Sequence, residues 1–229
     1  MKKMQFVDED GQKIDFIVKK LLNGGFAGRN QKAVWAHIEE LKKIGVAPPQ
    51  KTPTFYPLPP DLMVFDDEIV VLDTGNSAEI EYVLLFAKDE IYVALGSDHT
   101  DRDLETLSIP KSKLVYPNVI SRQVWTYSNL KDYWDQIEIR CWLGEGKETL
   151  YQDATLAAIM SPEQFIEHLK ELVDGDLEGL VFFSGTVAAL TEGLAYSGFV
   201  SGELLDPVKN NRLEISYRVK PITWFKGEN

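Results

Sequence analysis

The chain has 229 residues, 44% of them hydrophobic, 11% aromatic and 26% charged, which is enough to bury one sizeable core and makes a single domain over 1–229 the expectation. Its 24 Lys and Arg against 36 Asp and Glu give a formal net charge of -12, and the basic pairs Lys19–Lys20 and Lys42–Lys43 are isolated, which argues against nucleic acid and anionic membrane surfaces as partners. One cysteine, Cys141, leaves no disulfide or CxxC metal pair, the early acidic turn in MKKMQFVDEDGQ leaves no room for a signal peptide, and no apolar run nears the roughly 20 residues of a membrane helix, so a soluble cytoplasmic protein is expected.

In chain order, residues 3–7 and 13–18 predict short strands, and the glycine-rich NGGFAGRN at 23–30 predicts a turn. A helix follows, with Asn30 as N-cap, apolar Val34, Ile38, Leu41 and Ile44 on one face, and a stop at Gly45. Prolines crowd PPQKTPTFYPLPP, favouring an extended connecting segment. Strands are then predicted at DEIVVL, AEIEYVLLFA, EIYVALGS, QIEIRCWL, GLVFFSG and RLEISYRV. SPEQFIEHLKELVDG at 161–175 predicts a second helix with a Ser161–Gln164 capping box, Pro162 at its first position and Gly175 at its end. Many strands, few helices and no strict alternation predict an α+β fold, a strand-rich mixed β-roll or sandwich with few flanking helices.

Two constellations carry chemistry. Glu79 and Glu81 are one residue apart in a strand and point the same way. If the following hairpin loop has an even number of residues, with Asp89 and Glu90 at its tip, Asp98 falls opposite Glu81 on the same face, whereas an odd loop breaks this unless a bulge intervenes. Three clustered carboxylates repel one another, so the site must bind a cation, take up protons or lie open to water. A hard divalent ion is the most natural resolution, although such a pair is also what the solvated face of a half-buried strand looks like. His37 and Glu40, three apart on the first helix, are surface neighbours in which the carboxylate can orient the imidazole as a base, although His37 also borders the apolar face as a core histidine would. Arg102 and Asp103 read as an ion pair or loop anchor, and His99 is a candidate fourth ligand or second acid.

Taken together, GRNQKAVWAHIEELKKIGVAPPQKTPTFY, EIE, SDHTDRDLE, the lysine of PKSK, ETLYQDATLAAIM and FFSGT resemble the fumarylacetoacetate hydrolase-like superfamily over about residues 26 to 206, as an uncharacterised branch. The resemblance implies that Glu79, Glu81 and Asp98 bind Mg2+ or Mn2+, with Ca2+ able to take their place in a crystal. It makes His37 and Glu40 the water-activating or proton-transferring dyad and Lys113 a substrate-facing cation. Arg29, Gln152, Gly185 and Thr186 become pocket residues, and the assembly a homodimer. Gln31, Ser97, His99, Val187 and the longer GEGKETLYQ turn depart from the superfamily's pattern, so the scaffold is kept while the specificity is not.

The implied activity is that of a divalent-metal-dependent hydrolase or lyase on a small 2-oxo or 1,3-dioxo carboxylic acid, by carbon–carbon hydrolysis, decarboxylation or (de)hydration through a metal-stabilised enolate. The alternative is a non-catalytic metal-dependent binding protein or sensor for a small dicarboxylate or 2-oxo acid.

Overall fold

The structure is a computed structural model. It describes residues 1–43, 48–191 and 193–225, with the side chains of His37, Glu40, Leu41 and Lys43 outside that description. The chain opens with a hairpin of β1 (Lys2–Val7) and β2 (Lys13–Val18), then runs through β3 (Lys20–Gly25) into helix α1 (Gln31–Lys43). β4 (Thr54–Leu58), β5 (Met63–Val64), β6 (Glu68–Val71) and β7 (Asn76–Ser77) lead to the paired β8 (Ile80–Phe86) and β9 (Ile91–Asp98). β10 (Thr100–Asp101), the short helices α2 (Arg102–Glu105) and α3 (Ile109–Ser112), β11 (Asn118–Ile120) and β12 (Trp125–Thr126) follow. β13 (Glu138–Leu143), β14 (Thr149–Thr155), helix α4 (Pro162–Leu172), β15 (Leu180–Phe183), β16 (Phe199–Asp206) and β17 (Asn211–Pro221) complete it.

Local chemistry sets the helix ends. Asn30 Oδ1 accepts from Ala33 N at 3.2 Å, capping α1. Ser161 and Gln164 exchange both bonds of a capping box at α4. The predicted stop at Gly45 lies outside the described residues.

Among the described residues the strands form a larger sheet in the order β4-β3-β15-β8-β9-β11-β5, with β12 also on β9, and a second sheet ordered β14-β13-β16-β17-β6. β8 is buried along its whole length because both of its faces are covered. Ile80, Tyr82 and Leu84 pack with Ile139, Leu204 and Tyr217 of the second sheet. Val83 and Leu85 face the other way, with Phe183, Met63 and the Phe6 and Phe16 rings of the opening hairpin. This second face is concave. Asn23 on β3 and Asn118 on β11 would lie about 19 Å apart across four flat strand spacings. Asn118 Nδ2 nevertheless donates to Asn23 Oδ1 at 3.0 Å, so the sheet curls into a roll.

The turn predicted at 23–30 begins later than expected, since β3 continues as a strand through Gly25. The proline-rich segment supplies β4, whose Pro57 is tolerated because β4 is the sheet's edge. β16 was not predicted. Its Gly202 weakens the strand signal, yet a side chain there would press within 2.9 Å of Ile80 on the facing sheet.

Candidate metal centre

The site lies where β8 and β9 leave the apolar part of the concave face. Phe86 pairs with Ile91 across a four-residue turn closed by Ala87 N and Glu90 O at 3.0 Å. That places Gly96, not Asp98, opposite Glu81. Asp98 stands opposite Glu79 instead and donates its N–H to Glu79 O at 3.0 Å. The expected register is thus off by two residues, and because side chains alternate with a period of two, all three acids still share a face. One carboxylate oxygen from each of Glu79, Glu81 and Asp98 lies within 4.8 Å of the others.

Glu81 and Asp98 are 0% exposed. Fixed cations attend the cluster. The Lys113 ammonium donates to Glu79 Oε2 at 2.7 Å and to Thr100 Oγ1 at 2.9 Å, and it lies 2.7 Å from Asp98 Oδ2 as an ion pair. Arg102 places Nη1 2.9 Å from Glu79 Oε1 and 2.7 Å from Glu105, and Nε donates to Ser77 Oγ at 2.7 Å. Arg102 therefore pairs with Glu79 and Glu105, not with its neighbour Asp103, and its N–H anchors the loop at Gly75 O.

Burial would raise the Glu79 carboxyl, but Lys113 and Arg102 outweigh it and hold it at about 2. Glu81 has no such partner. Burial, with the Asp98 and Glu79 charges beside it, pushes Glu81 well above the usual carboxylate range. Burial also raises Asp98, against the pull of Lys113.

The pocket residues implied by the resemblance gather at Glu81. Gly185, at φ +86 where a side chain is disfavoured, donates its N–H to Glu81 Oε2 at 2.9 Å. Thr186 Oγ1 donates to Ile80 O at 2.7 Å, and Gln152 Nε2 donates to Thr186 Oγ1 at 2.7 Å and Val187 O at 2.6 Å. Arg29 makes its contacts elsewhere, with Ile159 O at 3.0 Å, Leu156 O at 3.2 Å and Asp135 at 2.7 Å. His37 and Glu40 lie on α1, and their side chains fall outside the described residues.

His99 is not among the clustered acids. Alternation along the chain turns it to the opposite face, where Nδ1 lies 3.1 Å from Tyr217 Oη and Nε2 2.6 Å from Asn76 Oδ1. Burial and Arg102 lower it to about 3, leaving the ring neutral. Asn23 and Asn118 were missed by sequence reasoning. Both are 0% exposed and lie on the concave face, and an isolated asparagine within an apolar run such as YPNVIS was the available signal.

The donor set fits a hard cation. Glu81 Oε1 and both oxygens of Asp98 are buried with no hydrogen-bond partner, and one oxygen from each of the three acids lies within 4.8 Å of the others, close enough to share one ion. With oxygen donors alone, Mg2+, Mn2+ or Ca2+ is favoured over Zn2+.

The curled sheet packed on a second sheet is the fumarylacetoacetate hydrolase-like fold. The chain belongs to the family described as protein of unknown function DUF2848, whose sequence profile matches residues 24–217. Among solved structures it is similar to 2-keto-3-deoxyarabinonate dehydratase, at 16% identity and TM-score 0.63 over 89% of this chain and 73% of that one. It is also similar to Cg1458 with inhibitor, at 17% identity and TM-score 0.65 over 90% and 78%. A further match, 2-keto-3-deoxy-D-arabinonate dehydratase complexed with magnesium and 2,5-dioxopentanoate, shares 16% identity at TM-score 0.62 over 89% and 73%. No curated protein matches the chain. Among the described residues no helix is long and apolar enough to cross a membrane.

Proposed function

We propose that the protein is a divalent-metal-dependent enzyme acting on a small 2-oxo or 1,3-dioxo carboxylic acid. The observation that carries this reading is the set of buried oxygens without hydrogen bonds on Glu81 and Asp98, beside Glu79, in a fold shared with a dehydratase complexed with magnesium and 2,5-dioxopentanoate. Glu79, Glu81 and Asp98 would hold Mg2+ or Mn2+. Bound there, such an ion supplies Lewis-acid polarisation of the substrate's 2-oxo group.

The chain's own residues supply the remainder. Gly185 N–H holds one oxygen of Glu81 and so aims the other into the site. Lys113 and Arg102 keep Glu79 ionised and fixed, and Lys113 contributes positive charge where an enolate oxygen would develop. To His37 and Glu40 we assign the uptake or return of the proton at the carbon next to the 2-oxo group, or the activation of water. Thr186 and Gln152 brace the 184–187 turn against β8 at the rim of the substrate site. Carbon–carbon cleavage, decarboxylation and loss of water all require this same handling of charge, and one site geometry supports each of them.

The working form we propose is a cytoplasmic homodimer with one catalytic unit over 1–229, a state that sedimentation would read directly. Function is tested by incubating 2-oxo and acylpyruvate acids with the protein and Mg2+ or Mn2+, following enol absorbance and carbon dioxide release. Turnover that disappears in Glu81→Ala while the fold persists is expected. An unaltered rate in that variant refutes the assignment, and ligand retention without conversion favours the sensor.

A further inference from the structure

The carboxylate oxygens of the cluster are not equally free. Both oxygens of Glu79 are claimed, Oε2 by Lys113 at 2.7 Å and Oε1 by Arg102 at 2.9 Å. Asp98 Oδ2 lies 2.7 Å from the same lysine as an ion pair but, like Oδ1, has no hydrogen-bond partner. Gly185 N–H takes Glu81 Oε2. The oxygens left without a hydrogen bond are Glu81 Oε1, both oxygens of Asp98 and one that is not a carboxylate, Asn118 Oδ1.

Asn118 is 0% exposed and stands directly opposite Asp98 in the β9–β11 ladder. Residues so paired project from the same face with Cβ atoms about 5 Å apart, so the amide shares the concave face with the acids. Its nitrogen is committed, because Nδ2 donates to Asn23 Oδ1 at 3.0 Å across the curled sheet. That bond fixes the plane of the amide and leaves its carbonyl oxygen as the unspent atom. A buried carbonyl without a donor is unfavourable in any protein, and a hard cation is the partner its chemistry suits, since asparagine carbonyls are ordinary ligands of such ions.

We propose that Asn118 Oδ1 is a further oxygen ligand of the divalent cation, joining Glu79, Glu81 and Asp98, and that Asn23 is its positioning residue. The inference rests on the reading that the acidic cluster holds a metal. It adds a neutral donor on the side of Asp98 away from β8, where Glu79 is already engaged by two fixed cations. A neutral ligand completes coordination without adding to the negative charge that three carboxylates already bring together.

The test is titration of the full chain with Mn2+, read from the electron paramagnetic resonance signal of the free ion, for wild type, Asn118→Ala, Asn118→Asp and Glu81→Gln. Wild type is expected to bind, Asn118→Ala to lose about tenfold or more in affinity, and Asn118→Asp to bind at least as tightly as wild type. Equal affinity of wild type and Asn118→Ala, with Glu81→Gln impaired, overturns the ligand assignment and leaves the metal reading standing. Where Asn118→Ala does not fold by circular dichroism, Asn118→Asp decides, and weaker binding by that variant overturns the assignment. Wild type that binds no more Mn2+ than Glu81→Gln overturns the metal reading itself, and the assignment with it.

Discussion

Replacing Lys113 with Met should unsettle the site more than any other single surgical change to its charges. The side chain is 4% exposed and its ammonium is the shared partner of Glu79 and Asp98, each at 2.7 Å. Methionine matches the length and volume of the stem, so the loss is electrostatic. With Glu81 pushed toward its neutral form, Glu79 and Asp98 face the ammonium and the Arg102 guanidinium, and the variant leaves them facing the guanidinium alone. Removing one member of a buried ion pair costs about 3–5 kcal/mol, because the partner charge stays behind without compensation. Unfolding entropy scales with length, and for 229 residues at about 2.1 cal/mol/K each that cost lowers Tm by roughly 6–10 °C. Differential scanning calorimetry in chelator-treated buffer reads the shift. Repeating it with Mn2+ should show a larger rise in Tm for Lys113→Met than for wild type, since the incoming ion meets more negative charge and one fewer cation. A fall of less than about 2 °C without metal, or an equal rise with it, would refute the idea that Lys113 is a resident counter-ion of the cluster.

Three further outcomes are expected. Burial pushes the Cys141 thiol up to about 12, so at pH 8 it stays protonated, and a colorimetric disulfide reagent should titrate no thiol in the native protein and one after denaturation. Gly96→Ala would set a methyl group 2.5 Å from the Phe183 ring and 2.8 Å from Val83, and chemical denaturation should show a loss of about 1–3 kcal/mol. Ser161→Ala removes one half of the capping box on α4 and should cost about 0.5–2 kcal/mol by the same assay, with Mn2+ affinity unchanged.

What the sequence reveals and what it conceals divide along the range of the interactions involved. The helix starts at Asn30 and Ser161 are legible because a cap is settled within four residues. The shared face of Glu79, Glu81 and Asp98 is legible because it depends only on parity, and it survives a register displaced by two. The register itself is not, since it follows from the turn closed by Ala87 and Glu90, where several loop lengths fit the same residues. β16 is hidden by Gly202, whose missing side chain answers to Ile80 on another sheet. The Asn23–Asn118 bond joins residues 95 positions apart and exists only because the sheet curls, which no local pattern encodes. Arg102 offers the intermediate case, where a charged neighbour in sequence, Asp103, is passed over for Glu79 and Glu105.

Alternation also has a consequence behind the cluster. Ser97 and His99 flank Asp98 and both reach back to the one phenol of Tyr217, at 2.8 Å and 3.1 Å, in the second sheet. The acid is thus riveted from the rear: the peptide that carries it is bolted at two points to a strand that contributes no ligand. Its aim is set from outside the cluster, and the stiffness of the distant sheet becomes part of what holds the three acids in register.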